Sequence, residues 1–216
     1  PVAAAPPAAT GPRTPSHFGT EGPEMLAYVA KRLALAVGTV FAAAVILDPD
    51  APIAGLNDSK KLSEKKREAL FDLITERAAA YAVASASVEE IEQYNILQAT
   101  YLAMSRAVGA VSRQKTPSLV LVDGNRLPPQ ITLPCRTLVK GDALSASVAA
   151  ASILAKVSRD RLLLELDRQY PEYAFAQHKG YGTALHYERL AEYGPSPVHR
   201  MSFLKKWLEQ QPKSGR

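Results

Sequence analysis

Cysteine is nearly absent from this sequence, because Cys135 is the only one in 216 residues. A single thiol excludes an intrachain disulfide and any metal site built from cysteines alone. Proteins without disulfides are typical of reducing compartments, so we expect a cytoplasmic protein.

Long apolar segments are also scarce, and one uncharged run stands out, Leu33–Leu47 (LALAVGTVFAAAVIL). It is shorter than the roughly 20 residues that a membrane helix needs. Its valines and isoleucine favour a pair of buried strands around Gly38, and we expect no association with a membrane. Because Lys31 and Arg32 precede the run, an export signal or a membrane segment is the alternative interpretation.

The bulk composition is that of an ordinary globular protein, with 47% hydrophobic and 22% charged residues. The formal net charge is +5 and the sequence pI is about 9.3. Basic proteins gain free energy by releasing counterions from phosphates, so this charge weakly favours a nucleic acid as partner.

The organisation along the chain predicts one domain between two flexible ends. Residues 1–24 are rich in Pro and Ala and have too little apolar surface to order themselves, so we expect a disordered tail. We place the domain at residues 25–209 and a second flexible tail at 210–216. Strands that come first and helices that dominate later indicate an α/β protein with helices packed on a mixed sheet. We expect helices from Ser63 to about Ala80, around Leu97–Val111, from about Ala143 to Gln169, from Thr183 to Gly194 and around Phe203–Leu208, and strands at Tyr81–Val88, Ser118–Asp123 and Ile131–Val139.

Two aspartates stand where a sheet and a helix can bring them together. Asp123 ends an apolar strand, and Asp142 lies in KGDALSASVAAASILAK at the start of the long predicted helix. Open α/β sheets place their sites at the carboxyl ends of strands, and two carboxylates form half of a site for a hard cation. The alternative is a turn residue and a helix-capping residue without further function.

The segment HKGYGT has the composition of a ligand-binding loop. Gly180 and Gly182 allow the backbone to approach a ligand, and the ring of Tyr181 could stack on a sugar or base. His178 and Lys179 could contact a phosphate, or the histidine could assist a proton transfer. A purely structural turn is the alternative.

A second polar loop, NDSKK, offers the hydroxyl of Ser59, backbone amides and the ammonium of Lys60. Such groups bind phosphates by hydrogen bonds and charge. They are equally common in plain surface loops.

In their order along the chain, six segments resemble ribonuclease HII, the type 2 ribonuclease H. They are LNDSKKLS, IEQYNILQAT, LVLVDGN, VKGDALSASVAAASILAKVSRD, HKGYGT and GPSPVHRMSF. The resemblance runs from about Phe41 to Phe203. It implies a ribonuclease H-like fold, with a mixed five-stranded sheet flanked by helices and a C-terminal helical extension.

The resemblance also implies an activity and a set of site residues. The expected enzyme is a monomeric Mn²⁺- or Mg²⁺-dependent endonuclease of DNA replication and repair. It would cleave RNA in RNA–DNA hybrids and incise 5′ to a ribonucleotide embedded in duplex DNA, leaving a 3′-hydroxyl. By resemblance, Asp123 and Asp142 are metal-binding and catalytic, Tyr181 stacks at the RNA–DNA junction, and Lys179, Ser59 and Lys60 contact phosphates; His178 joins the candidate substrate-binding residues.

One element of the family pattern is missing. The family begins with a strand that carries adjacent Asp and Glu, followed by a Gly-Arg-Gly turn. Here an ungapped alignment places Val29 and Ala30 at the acidic positions, and no acidic residue lies between Glu24 and Asp48. Three interpretations follow: an endoribonuclease with a rebuilt first motif, a reading-frame error upstream of Val40, or a hybrid-binding relative with impaired catalysis.

Overall fold

The computed structural model of the chain describes residues 26–32, as backbone, and residues 37–210. The predicted tail at 1–24 lies outside the described residues, as do residues 211–216 of the second predicted tail (210–216) and residues 33–36 of the apolar run. Gln210, the first residue of that second tail, is instead helical. The described residues form strands β1 (Leu26–Arg32), β2 (Val40–Ile46), β3 (Ala80–Ala86), β4 (Leu119–Asp123) and β5 (Cys135–Leu138), and helices α1 (Glu64–Arg77), α2 (Val88–Gln114), α3 (Gly141–Leu144), α4 (Ala146–Gln169), α5 (Phe175–His178), α6 (Ala184–Tyr193) and α7 (Met201–Gln210), with a 3₁₀ turn at Pro171–Tyr173.

The five strands form one mixed sheet in the order β3-β2-β1-β4-β5. β1 pairs antiparallel with β2 and parallel with β4, β2 pairs antiparallel with β3, and β4 pairs parallel with β5. This confirms the predicted fold class. Because β1, β4 and β5 run in parallel, their carboxyl ends meet at one edge of the sheet.

Strand β2, in the interior of the sheet, is covered on both faces, which explains its uninterrupted apolar sequence. Ala42 and Ala44 belong to a core that includes α2, whereas Ala43 and Val45 belong to a core that includes α1 and α4. Residues 40–46 of the apolar run are therefore a buried strand, as predicted. Among the described residues, no helix is both long and apolar enough to cross a membrane.

Helix α4 lies close against the sheet because the residues that face it are small. Ala149, Ala150 and Ala151 have no exposed surface and pack in the same core as Ala43 of β2. Alanines at such a contact allow a closer approach of helix and sheet than larger side chains would.

The long helix predicted from Ala143 is broken in the structure. Ser145 has extended backbone angles (φ −135°, ψ 128°) and separates α3 from α4. Helix α2 also differs from the prediction, because it starts at the capping box of Ser87 and Glu90 and is kinked at Asn95 (φ 66°). Thr183 and Gly194 do bound α6 as predicted.

The C-terminal helices pack on the far part of α4 around a third core, which includes Phe175, Leu190 and Leu204. A short backbone contact ties this extension to the segment before β2. Val37 forms an isolated antiparallel bridge with His199, and the N–H of Gly38 donates to the carbonyl oxygen of Val198 at 3.1 Å.

This contact requires glycine at position 38, which yields a stability prediction. An added Cβ would lie 1.8 Å from Val88 Cγ2 and 2.8 Å from the backbone oxygen of Val198. We expect Gly38→Ala to lower the free energy of unfolding by about 1–3 kcal/mol, measured by urea denaturation. Gly109→Ala is the control, because the nearest atom to its Cβ is Arg113 Nη1 at 3.8 Å. In the helix interior that change should be neutral or stabilising by up to about 1 kcal/mol, and equal losses in both variants would contradict the prediction.

Candidate nuclease site

The structure brings Asp123 and Asp142 together at the carboxyl edge of the sheet. β4 ends at Asp123, and the chain leaves β5 through Lys140, which is left-handed (φ 58°), to enter α3. The N–H of Gly141 donates to Asp123 Oδ1 at 3.1 Å, so the residue before Asp142 is anchored directly on the other carboxylate.

A third aspartate, Asp58 of the NDSKK loop, lies beside Asp142. Burial raises the pKa of Asp142, and the neighbouring carboxylates of Asp58 and Asp123 raise it further, while Lys60 opposes them. Asp58 itself has a lowered pKa: its burial raises the pKa, but the hydrogen bond from the Lys60 backbone, the charge of Lys60 and a hydrogen bond with Asp142 together lower it more. Sequence spacing gave no reason to prefer Asp58, because its proximity to Asp142 depends on tertiary structure alone.

The donor chemistry of this cluster fits a hard divalent cation. Carboxylate oxygens are the ligands that such ions prefer, and a buried carboxyl group with a raised pKa marks excess negative charge that a cation would relieve. Within residues 37–210, whose side chains are described, no group of three or more His, Cys, Asp or Glu side chains is arranged to hold a metal. Mg²⁺ commonly binds through one or two carboxylates, with water and substrate phosphates as its other ligands, and Asp123 and Asp142 suit that mode.

The two candidate residues of the NDSKK loop, Ser59 and Lys60, lie in different environments. Ser59 is fully buried, its hydroxyl lies 2.9 Å from Ser152 Oγ of α4, and its carbonyl oxygen accepts from Arg67 Nη1 at 3.1 Å. Lys60 is exposed, and its backbone N–H donates to Asp58 Oδ1 at 2.9 Å. The serine hydroxyl therefore fastens the loop to α4, and the lysine is the residue that is open to solvent.

The buried side chain of Arg159 contacts the HKGYGT loop at two points, the backbone of Lys179 and the ring of Tyr181. The side chain of Arg159 is 2% exposed, and its Nη2 donates to the carbonyl oxygen of Lys179 at 2.6 Å. Its guanidinium carbon also lies 5.2 Å from the centroid of the Tyr181 ring, within range of a cation–π contact. Lys179 (φ 49°) and Gly180 (φ 75°) are both left-handed, which turns the 40%-exposed ring of Tyr181 outward.

His178 does not have the role that the sequence suggested. Its ring is 6% exposed, Nδ1 accepts from the N–H of Gly180 at 3.1 Å, and Nε2 lies 2.8 Å from the carbonyl oxygen of Tyr173. Burial lowers the pKa of His178. Because both ring nitrogens are bonded to the backbone, the expected contact with a phosphate or proton transfer is corrected to a structural role in the loop.

Next to Asp123, a small cavity opens between the end of β4 and helix α2, and sequence reasoning did not identify it. Its wall combines apolar side chains of α2 with the polar turn after Asp123. The lining residues are Leu97, Tyr101, Met104, Asp123, Gly124, Asn125 and Arg126.

The register of β1 shows which residues neighbour this edge. Val29 pairs with Val122, the residue before Asp123, and with Ala44 of β2. Val29 and Ala30 therefore stand beside the end of β4, the place at which the alignment put the family's acidic pair. The sequence has no carboxylate there.

A mixed five-stranded sheet with clustered aspartates at its carboxyl edge, and with lysines on two loops held to helix α4, is typical of ribonuclease H-like nucleases. Comparison with known proteins narrows this class. The family model described as Ribonuclease HII matches residues 35–206, and the chain belongs to the ribonuclease HII family. Its activity is endonucleolytic cleavage of the RNA in RNA–DNA hybrids, so the chain is a ribonuclease. The matched residues begin after β1.

Curated relatives agree with this assignment. The chain is 58% identical over 174 residues to ribonuclease HII of Marinomonas sp. (strain MWYL1), covering 80% of this chain and 86% of the relative. It is 61% identical over 166 residues to ribonuclease HII of Dechloromonas aromatica (strain RCB), covering 77% and 83%. These matches do not favour the alternative interpretation, a hybrid-binding relative with impaired catalysis, over an active enzyme.

Solved structures share the fold. One is the RNase HII of a PCNA:RNase HII complex from Archaeoglobus fulgidus, with a TM-score of 0.70 and 22% identity over 88% of this chain and 98% of that one. Another is Bst-RNase HIII in complex with Mn²⁺, with a TM-score of 0.62 and 17% identity over 79% of this chain and 70% of that one.

The electrostatics of Asp142 predict that the site lowers stability in the absence of metal. A folded-state pKa above the unfolded value means that the ionised carboxylate destabilises the fold, and this penalty grows as pH rises through those values. We expect Asp142→Asn to raise Tm at pH 7.5 in a chelating buffer, measured by differential scanning calorimetry. The difference from the wild type should shrink as the pH is lowered and wild-type Asp142 becomes protonated.

Two comparisons make this prediction specific. Asp50→Asn removes an exposed carboxylate from the loop after β2 and should leave Tm unchanged. Added Mn²⁺ should narrow the gap in Tm, since a ligand stabilises the form that binds it more tightly. A lower Tm for Asp142→Asn in chelator would show that the carboxylate stabilises the fold.

Proposed function

We propose that this chain incises duplex DNA 5′ to an embedded ribonucleotide, with a Mn²⁺ or Mg²⁺ ion held by Asp123 and Asp142. The observation that carries the proposal is the hydrogen bond from the N–H of Gly141, the residue before Asp142, to Asp123 Oδ1. Burial raises the pKa of Asp142, and the nearby carboxylates of Asp58 and Asp123 raise it further. The Mn²⁺ complex of Bst-RNase HIII, which shares the fold, supports a divalent ion here.

The residues around the cluster have separate tasks. A bound ion would supply charge neutralisation at the scissile phosphate and a water of lowered pKa. Asp123 and Asp142 orient that ion, and the Gly141 N–H fixes the Asp123 carboxylate. Lys60, which is exposed and close enough to lower the pKa of Asp142, is placed to meet a phosphate near the metal.

Recognition of the ribonucleotide falls to the HKGYGT loop. The exposed ring of Tyr181 is free on one side to stack at the RNA–DNA junction, while Arg159 supports the loop from below. Lys179, partly exposed and adjacent in sequence, contacts a neighbouring phosphate. Ser59 and His178 act indirectly, since their buried polar atoms hold the two loops.

The remaining assignments rest on sequence. We propose a monomeric, cytoplasmic protein whose single domain spans residues 25–209. Its nucleic-acid partners would be an RNA–DNA hybrid or a DNA duplex with an embedded ribonucleotide. The single cysteine, the net charge of +5 and the family of the chain support this proposal.

The first test is cleavage of a labelled DNA duplex that contains one ribonucleotide, with Mn²⁺ and separately with Mg²⁺. We expect incision 5′ to the ribonucleotide, and a loss of rate on the order of 100-fold or more in Asp123→Asn, because a metal ligand is removed. Asp50→Asn serves as the charge-matched control and should cleave at the wild-type rate.

The outcomes separate the two candidate functions. No cleavage by protein that circular dichroism shows to be folded would contradict the enzyme proposal. Salt-dependent binding of the duplex in that case would identify the hybrid-binding relative, which the lack of an acidic residue at Val29 and Ala30 would then explain.

A second test addresses Tyr181. We expect Tyr181→Ala to raise KM for the single-ribonucleotide duplex, with a loss in kcat/KM of about 5- to 150-fold, since stacking on a base contributes roughly 1–3 kcal/mol. Tyr181→Phe keeps the ring and should retain most of the activity. Tyr193→Ala removes a tyrosine of similar exposure (49%) from α6 and should leave the kinetics unchanged.

A further inference from the structure

Three of the four histidines lie together in the C-terminal extension, and the proposed chemistry uses none of them directly. His186 is fully buried and His199 is 2% exposed, and their Nε2 atoms lie 3.0 Å apart. The ring of His178 stacks on that of His186 with the centroids 4.0 Å apart and the planes at 13°. Burying three imidazoles side by side is costly unless each polar atom has a hydrogen-bond partner.

The tautomer of His199 follows from its contact with the backbone. The N–H of Ser196 donates to His199 Nδ1 at 3.0 Å, and the Ser196 hydroxyl lies 2.7 Å from the same nitrogen. A backbone N–H can only donate, so Nδ1 is an acceptor and carries no proton. In the neutral ring the proton is then on Nε2, the atom that faces His186.

The tautomer of His186 follows independently from the contact of its Nδ1 atom. Its Nδ1 lies 2.9 Å from the carbonyl oxygen of Tyr181. A carbonyl oxygen can only accept, so Nδ1 carries the proton and Nε2 is an acceptor. The two assignments agree where the rings meet, because His199 Nε2–H donates to His186 Nε2. The result is a directional chain of hydrogen bonds from Ser196 through His199 and His186 to the backbone of Tyr181.

This series of hydrogen bonds adds to the contacts that hold the HKGYGT loop in place. Arg159 holds the carbonyl oxygen of Lys179, His178 holds the N–H of Gly180, and His186 holds the carbonyl oxygen of Tyr181. Three consecutive residues thus each have a backbone group fixed by a buried side chain. Such support is needed because Lys179 has a left-handed conformation that a non-glycine residue rarely adopts.

Burial keeps the chain of hydrogen bonds in the form that it needs. It lowers the pKa of His186 to about 4 and, together with the neighbouring His186, that of His199 to about 4. Only a neutral imidazole can donate at one nitrogen and accept at the other, so both rings keep these roles at neutral pH.

We propose that His186 and His199, anchored by Ser196, are positioning residues that set the place of the Tyr181 ring against the nucleic acid. The proposal rests on the stacking role of Tyr181 proposed above. It links two motifs that are separated along the chain, HKGYGT and GPSPVHR, through the contact between the rings of His186 and His199. Substrate recognition would then depend on a residue, His199, that has no contact with the substrate.

Kinetics on the single-ribonucleotide duplex test this proposal in the full-length chain. We expect His186→Leu to raise KM and to lower kcat/KM on the order of tenfold or more, with a smaller change in kcat, because misplacing a positioning group by about 1 Å is enough for such a loss. His186→Asn keeps an N–H donor at the Nδ1 position and should recover most of the lost kcat/KM. His199→Leu should act in the same direction as His186→Leu, and His199→Gln, which keeps a donor at the Nε2 position, should be milder.

A double-mutant cycle separates positioning from general damage. If His186 acts through the Tyr181 ring, His186→Asn and His186→Leu should differ by less than about twofold in a Tyr181→Ala background. An equal difference in both backgrounds would overturn the proposal and leave a purely structural histidine. If Tyr181→Ala alone leaves the kinetics unchanged, the stacking role itself is wrong, and this result is distinct from the previous one.

A measurement without turnover covers the case in which the leucine variants do not fold. The ¹⁵N chemical shifts of the wild-type imidazoles should show the Nδ1–H tautomer for His186 and the Nε2–H tautomer for His199 at pH 7. His199→Gln should weaken the protection of the Tyr181 loop amides against hydrogen exchange less than His199→Leu does. The opposite tautomers, or a charged ring at pH 7, would overturn the proposal.

Discussion

The close packing of α4 on the sheet is the contact on which the rest of the site depends. Three alanines in succession, Ala149–Ala151, allow this approach, and each part of the site is then fastened to the same helix or to the turn that leads into it. Asp142 lies in the turn of helix just before it, the NDSKK loop is joined to it by Ser152, and the Lys179–Tyr181 loop is held by Arg159. A larger side chain among the alanines would move these three groups together.

Stability and function oppose each other at the carboxyl edge of the sheet. Ionised Asp142 lowers stability: burial is the largest contribution to this penalty, and the charges of Asp58 and Asp123 add to it. Lys60 and the Gly141 N–H offset part of it, but neither removes the excess negative charge. A stable protein keeps such a cluster because a cation or a developing positive charge makes it favourable, and this is the usual mark of a functional site.

Sequence reasoning succeeded where the signal is local and missed features that depend on tertiary contacts. The apolar run predicted β2, Asp123 ends a strand and Asp142 lies at the start of a helix as predicted, and Thr183 and Gly194 bound α6. The break at Ser145 was missed because no glycine or proline marks it. The proximity of Asp58 to Asp142 and the pairing of His186 with His199 were missed because residues far apart in sequence meet there only in the fold. His178 was misjudged because its burial could not be read from the glycines around it.

Strand β1 of this chain supports the fold but does not supply the acidic residues that the family carries there. Strand pairing uses backbone groups, and β1 pairs with β2 and β4 without the family's acidic pair. The metal does need oxygen ligands, and the sequence offers no carboxylate between Glu24 and Asp48. If Asp123 and Asp142 are the protein's ligands, as proposed, the other positions of an octahedral ion would be taken by water and by the substrate's phosphates. Ion and nucleic acid should then bind cooperatively, since each supplies part of the other's site, and by reciprocity the metal affinity of the free protein should be lower than that of the complex.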